Sequence, residues 1–199
     1  MSRWSLGEMF PKFLQERPEH ALSALISAVT GEIQREHPIP ADARLLTVTF
    51  AGQDCPFQED LSFVWFSDPQ KQHAHGAEKL VQNYVAFLSE CNATVARQLL
   101  TKSIPRFRFA LLLARTLMVG ARRPDELGEL LYPIALQPGV LHSNDTKKDA
   151  IDLIGAVLVK RSTDEQTATL AAIASHDYSI YKHPEDAKEM LARRISAVL

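Results

Sequence analysis

Residues 105–120, Pro-Arg-Phe-Arg-Phe-Ala-Leu-Leu-Leu-Ala-Arg-Thr-Leu-Met-Val-Gly, carry the strongest structural signal in this chain of 199 residues. Their apolar side chains recur at the spacing of an α-helix, between a proline and a glycine that are typical helix boundaries. We therefore predict a helix over 106–119 that Gly120 terminates. Arg108 and Arg115, seven residues apart, would form a ridge about 10 Å long on its outer face.

Helical spacing continues on both sides of this segment. Pro11 should kink or split a first amphipathic helix, because an interior proline removes a backbone hydrogen bond. Capping residues predict two further helix starts. Asn144 or Asp145 can cap a helix over about 150–158, and Ser162 with Glu165 forms a capping box for the helix through Ile173. The remaining helices are predicted from Pro18 to before Pro38, over 77–88 and 93–100, from Pro124, and from Pro184.

Residues 41–66 fit the helical pattern least well. The segments 45–50 (Leu-Leu-Thr-Val-Thr-Phe) and 61–66 (Leu-Ser-Phe-Val-Trp-Phe) are short, β-branched and aromatic, so each could be a strand or a buried helical turn. If both are strands, they pair as a small β-hairpin around the loop 51–60.

The predicted fold is therefore all-α, with eight or nine antiparallel helices and a small β-hairpin near 45–66 as an option. Short connections make consecutive helices antiparallel neighbours, which gives either a stacked α-solenoid or an irregular bundle. We predict a single helical domain over 1–199, with an irregular part at 1–75 and a regular helical-repeat part at 76–199.

The stretch 103–114, Ser-Ile-Pro-Arg-Phe-Arg-Phe-Ala-Leu-Leu-Leu-Ala, resembles the opening of the second helix of HEAT-like repeats. It has a proline, then an arginine, then a dense aliphatic face. Residues 76–199 are similar to helical-repeat regions of large bacterial multidomain proteins, including the sensor arms of STAND-type ATPases used against phages. The resemblance implies a HEAT-like stack with a concave surface for protein recognition, and ATP hydrolysis located elsewhere.

Charge is distributed unevenly along the chain. Residues 91–124, which we call the basic band, hold seven bases and no acid, namely Arg97, Lys102, Arg106, Arg108, Arg115, Arg122 and Arg123. Residues 1–90 hold 7 bases and 12 acids, and residues 125–199 hold 8 bases and 12 acids. The overall charge of −2 gives no global attraction to nucleic acid or to an anionic membrane. The band is either neutralised internally, by acids such as Glu126, Glu129, Asp149 or Asp152, or it binds an anionic partner.

The first functional hypothesis is a non-enzymatic protein-interaction scaffold. Its candidate contacts are Arg106, Arg108, Arg115, Arg122 and Arg123, together with Tyr178 and Tyr181 of the loop 176–183, where tyrosine suits recognition. The two tyrosines could instead pack this loop over the helix ends. One alternative function is sequence-independent nucleic-acid binding through the basic band. The other is an enzyme whose site assembles from scattered residues.

Motifs of cofactor and metal chemistry do not occur in the sequence. There is no phosphate-binding glycine loop and no Gly-x-Ser-x-Gly turn. His73 and His75 lie at long, irregular distances from Cys55 and Cys91, so we predict no metal site and no cofactor. Two cysteines fit a reducing compartment, and no apolar run reaches the roughly 18 residues of a membrane span. We therefore expect a cytoplasmic protein without a membrane partner.

Overall fold

The computed structural model describes residues 3–66 and 74–198, with side chains from Gly7 onward. Within them lie eleven α-helices and one two-stranded sheet, which confirms the all-α class with a small hairpin. The elements are α1 (Arg3–Glu16), α2 (Pro18–Glu36), β1 (Leu45–Phe50), β2 (Gln53–Gln58), α3 (Ser62–Trp65), α4 (Gly76–Glu90), α5 (Ala93–Ser103), α6 (Ala110–Arg122), α7 (Pro124–Ala135), α8 (Pro138–Leu141), α9 (Lys147–Leu158), α10 (Thr163–Ala174) and α11 (Pro184–Ser196).

Helix starts that depend on local chemistry lie where the sequence predicted them. Pro18, Pro124 and Pro184 open α2, α7 and α11. Ser162 and Glu165 form the predicted capping box at the start of α10. These signals involve residues within one helical turn, so they do not depend on the rest of the fold.

The first helix is not split at Pro11, which was one of the two outcomes that the sequence predicted. α1 continues through it, although Pro11 cannot donate a hydrogen bond to the carbonyl of Gly7 four residues earlier. The side-chain amide of Asn83, in α4, donates to that carbonyl at 2.9 Å. A tertiary contact therefore supplies the hydrogen bond that the proline removes.

The central helix begins and ends later than predicted. Residues 104–106 form a single 3-10 turn, and α6 starts only at Ala110. The chain before it is held extended, because the backbone N–H of Gln58 in β2 donates to the carbonyl of Arg108 at 2.9 Å. At the other end Gly120 lies inside α6, so it does not terminate the helix.

Gly120 is instead a point of close helix packing. A Cβ atom placed there would lie 2.8 Å from Leu131 Cδ1 of α7 and 3.3 Å from Leu153 Cδ1 of α9. We expect Gly120→Val to lower the free energy of unfolding by about 1–3 kcal/mol through overpacking. Gly120→Ala should cost less, because alanine gains about 1 kcal/mol of helix propensity. Urea denaturation of both variants measures this, and wild-type stability for Gly120→Val would contradict it.

The β-hairpin has a different second strand from the predicted one. β1 pairs antiparallel with β2, with Phe50 opposite Gln53, so the strands are joined by only two residues. Ala51 and Gly52 both have positive φ, 50° and 77°, as a tight two-residue hairpin turn requires. Residues 61–66 consequently pair with neither β1 nor β2, and part of them forms the short helix α3.

α6 lies at the centre of the molecule. It packs against α4, α7 and α9, and all eleven residues of 110–120 are buried. α1, α2 and α4 pack together as a second group, joined to the first where α4 meets α6. One continuous hydrophobic core extends from Phe10 to Ile195. A helix covered on every side leaves no outward face for a basic ridge.

Candidate functional site

The basic band does not form the predicted ridge. Arg108 lies before the start of α6 and is exposed, whereas Arg115 lies in the buried part of the helix and is only 8% exposed. The prediction that both arginines project from one helical face is therefore wrong. It assumed a helix beginning at 106 with one open side, and neither condition holds.

Two other bases of the band form ion pairs within the chain. Lys102 pairs with Glu19 of α2. Arg123 pairs with Glu126 and also donates to the backbone carbonyl of Cys91 at 2.9 Å. Lys102 thus joins α5 to α2, and Arg123 joins the start of α7 to the end of α4. Much of the charge of both bases is therefore neutralised internally.

The remaining bases of the band differ in their surroundings. Arg97 donates to a backbone carbonyl of α7 at 2.6 Å, and Arg106 donates to the hydroxyl of Ser23 at 2.9 Å. The side chains of Arg108 and Arg122 are exposed and form no hydrogen bond or ion pair with another residue that the structure describes. They lie beyond opposite ends of the buried part of α6, so they do not form one patch.

Arg115 is the centre of a buried polar network. Its Nη2 donates to the carbonyl of Phe66 at 3.0 Å, and its Nη1 lies 3.6 Å from Asp149 Oδ2 of α9. The guanidinium carbon also lies 5.2 Å from the centre of the Phe66 ring, a cation–π contact. Burial lowers the pKa of Arg115 and raises that of Asp149, because each charge has left water.

Asp145 binds the chain between β2 and α3. Its Oδ2 accepts from the N–H groups of Asp60 and Leu61, at 3.0 and 3.3 Å. Its Oδ1 accepts from the N–H of Phe63 at 3.1 Å and from the hydroxyl of Ser62 at 3.4 Å. One buried carboxylate thus fixes four consecutive residues against the start of α9.

The prediction that Asn144 or Asp145 caps α9 is therefore wrong. Thr146 directly precedes α9, and no side-chain hydrogen bond caps the helix. The Asp145 carboxylate points instead to residues more than eighty positions earlier in the chain. Sequence spacing could not separate these two uses of the same side chain.

Asp60 links the same loop to α6. Its Oδ2 accepts from the N–H of Leu111 in the first turn of α6, and its Oδ1 accepts from the N–H of Ser62, both at 3.0 Å. Burial, with the charge of Asp145 close by, raises the pKa of Asp60 to about 6. Residues 60–63 are therefore bound to α6 through the carboxylate of Asp60 and to the start of α9 through that of Asp145.

A cleft of about 570 Å³ lies beside this network, and we call it the α6–α9 cleft. Its walls come from α3, α6, α9 and the C-terminal residues. Besides the buried Arg115, Asp145 and Asp149, it is lined by Phe63, Met118, Ala121, Arg122, Asn144, Lys148, Asp152, Ala156 and Val198. The predicted contacts Arg106, Arg108 and Arg123 do not line it.

The cleft combines apolar surface with one unpaired charge. Phe63 is 44% exposed and Val198 is 39% exposed. Lys148 pairs with Asp152 at 2.8 Å, so its charge is offset nearby. Arg122, by contrast, forms no ion pair or hydrogen bond with any residue that the structure describes.

Tyr178 and Tyr181 lie outside this cleft and pack against α8 and the loop before α9. Tyr178 is 7% exposed, and its hydroxyl donates to the carbonyl of Ile173 at 2.9 Å. Tyr181 is half-buried and donates to the carbonyl of His142 at 3.4 Å. The imidazole of His142 contacts both rings, and burial lowers its pKa to about 4. The tyrosines thus pack the loop 176–183 over the helix ends, which is the second of the two roles that the sequence left open for them.

Cys55, Cys91 and His75, the described residues that were weighed for metal binding, do not form a metal-binding group. Cys55 is buried in β2, Cys91 is half-buried after α4, and His75 is exposed. His73 lies outside the described residues. Within 7–66 and 74–198, no three His, Cys, Asp or Glu side chains are placed to hold a metal ion.

Comparisons of the chain with protein-family models, curated proteins and solved structures returned no match. The resemblance of 76–199 to HEAT-like repeats therefore stays a prediction. None of the helices that the structure describes has the length and apolar character needed to cross a membrane.

Sequence reasoning missed the side of the cleft that α3 and α9 provide. Asp145, Asp149 and Asp152 are four and three residues apart, a spacing that would place them on one face across the start of α9. That signal could have marked the wall of a polar site. The position of Phe63 opposite this wall had no signal, because it depends on the long-range contacts of Asp60 and Asp145.

Proposed function

We propose that this chain is a non-enzymatic protein-interaction module, of HEAT-like bacterial type, that holds a segment of a partner protein in the α6–α9 cleft. One observation carries the proposal. A cleft of about 570 Å³ has an exposed apolar rim at Phe63 and Val198, beside the exposed and unpaired charge of Arg122. Binding surfaces for protein segments combine apolar contact area with a small number of charged groups.

The packing and hydrogen bonding of the walls also support the proposal. α6 packs more extensively on α9 than on any other described element. The Arg115–Asp149 pair and the four hydrogen bonds of Asp145 tie both helices to the loop that carries Phe63. A preformed site loses less conformational entropy when it binds, which favours affinity from a small contact area.

The charge of the cleft favours a protein segment over a nucleic acid. Its lining holds the bases Arg115, Arg122 and Lys148 and an equal number of acids, Asp145, Asp149 and Asp152. A chain of phosphates would meet these carboxylates at close range. Arg108 and Arg122 are separated by the length of α6, roughly 20 Å, so they cannot supply one basic surface.

The composition of the cleft also favours binding over catalysis. Its described lining residues include no serine, cysteine or histidine, which are the usual nucleophiles and general bases. The carboxylates of Asp145 and Asp149 are buried and hold other parts of the chain. The enzyme hypothesis consequently has no observation in its favour at this site.

Filling the cleft tests the proposal. Ala156 lines the cleft and is half-buried in α9, so Ala156→Phe should occupy its space. We expect peptides selected by the wild-type protein from a phage-displayed random library to bind Ala156→Phe at least about tenfold more weakly. Binding is measured by fluorescence polarisation, after circular dichroism has shown that the variant folds.

The matched control is Ala171→Phe, the same change at an exposed position of α10 outside the cleft. It should bind the selected peptides like the wild type. Failure to enrich any peptide family, or equal binding by Ala156→Phe, would show that the cleft is not a protein-binding site.

A further inference from the structure

The charged groups of the α6–α9 cleft are satisfied unequally. Asp145 accepts four hydrogen bonds, Asp152 pairs with Lys148, and Asp149 lies 3.6 Å from Arg115. Each acid therefore has a partner inside the molecule. The guanidinium of Arg122 forms no hydrogen bond or ion pair with the residues that the structure describes.

Arg122 is also placed where a ligand can reach it. It lies in the last turn of α6 and is exposed, in contrast to Arg115 one and a half to two turns earlier. Burial is the main influence on the pKa of each member of the buried pair, lowering that of Arg115 and raising that of Asp149, and the charge of Arg122 acts on both as a smaller cause. Arg122 thus lies at the mouth of the buried network and adds positive charge there.

The apolar part of the cleft lies on the other walls. Phe63 projects from α3, and Val198 lies against α9, where a Cβ atom on Gly155 would be 2.5 Å from Val198 Cγ2. Both side chains keep a large exposed fraction inside a concave site. A ligand that covers both must offer apolar side chains in addition to its charged group.

We infer that the partner segment carries an acidic side chain that pairs with Arg122, together with apolar side chains that pack on Phe63 and on Val198. This inference rests on the proposed function, because it specifies what the same cleft binds. The planar guanidinium of arginine can bind both oxygens of a carboxylate at once, which selects Asp or Glu over neutral residues. The rest of the lining holds two bases and three acids, so only Arg122 attracts a carboxylate and a run of carboxylates is opposed.

Charge reversal at Arg122 is the test. The probes are the peptides selected by the wild-type protein, synthesised with an amidated C-terminus so that only side chains carry carboxylates. We expect Arg122→Glu to weaken binding at least about tenfold, because like charges then meet in the cleft. Arg108→Glu is the matched control, since Arg108 is exposed and unpaired but outside the cleft, and it should change binding less than about twofold.

A charge exchange distinguishes direct pairing from a disturbed fold. A peptide whose acidic residue is replaced by Lys should bind the wild type weakly and regain affinity for Arg122→Glu. If the selected peptides lose affinity for Ala156→Phe but keep it for Arg122→Glu, this inference is overturned and the proposed function stands. Loss of binding on amidation would overturn it in favour of a C-terminal carboxylate. If the library yields no peptide, both proposals fail, and Arg122-dependent binding of a single-stranded oligonucleotide alone would replace them.

Discussion

Asp145→Ala is expected to lower the free energy of unfolding by about 3–5 kcal/mol. Three backbone N–H groups of the loop 60–63 would lose their acceptor, and each hydrogen bond to a charged group contributes about 1.5–3 kcal/mol. Asp145 is buried, so water cannot replace it without opening the loop. Equilibrium urea denaturation, followed by circular dichroism, measures the change.

Two further variants show whether this loss is specific. Asp152→Ala removes a carboxylate of the same cleft, but its ion pair with the largely exposed Lys148 lies at the surface and should contribute less than about 1 kcal/mol. Asp145→Asn keeps one acceptor oxygen, so its loss in the free energy of unfolding should lie between those of Asp145→Ala and Asp152→Ala. Equal stability of Asp145→Ala and Asp152→Ala would mean that the loop 60–63 finds other hydrogen-bond partners.

Asp149→Ala is expected to destabilise the protein by a similar amount, about 3–5 kcal/mol, because it leaves the buried guanidinium of Arg115 without its carboxylate. The side chains of Arg115 and Asp149 are only 9% and 6% exposed, so solvent cannot compensate. Arg115→Met alone should cost less, since a buried carboxylate left without its partner can take up a proton, whereas an arginine does not lose one. The measurement is again urea denaturation at neutral pH.

The double variant Arg115→Met with Asp149→Leu completes the cycle. Replacing a buried ion pair by apolar side chains of similar volume is often neutral or stabilising, so we expect stability within about 1–2 kcal/mol of the wild type. Additive losses in the double variant would contradict this expectation. They would show that Arg115 stabilises the fold chiefly through Phe66, whose carbonyl and ring it also contacts.

The helices of this protein follow largely from local sequence signals. Proline at the first turn places the starts of α2, α7 and α11, and the capping box places the start of α10. The predicted helix boundaries are wrong where a contact from a distant part of the chain determines them. α6 starts at Ala110 because Gln58 and Asp60, some fifty residues earlier, bind the backbone at Arg108 and Leu111.

The charged residues were harder to place than the helices. The sequence left open whether internal acids neutralise the basic band, and Asp149 and Glu126 do pair with Arg115 and Arg123. Of the arginines predicted to contact a partner, Arg115 and Arg122 line the cleft, one buried and one exposed. Residues seven apart on one helix have different surroundings because α9 and Phe66 cover only the first.

Apolar periodicity and helix boundaries are short-range properties, and they were sufficient to establish an all-α chain with its main helices. They contain no information on which faces meet, because burial depends on residues far apart along the chain. The pairing of β1 with β2, the capture of the loop 60–63 by Asp145, and the exposure of Arg122 all arise from such contacts. The α6–α9 cleft is therefore a product of packing, formed where α3, α6 and α9 meet around carboxylates that hold distant backbone.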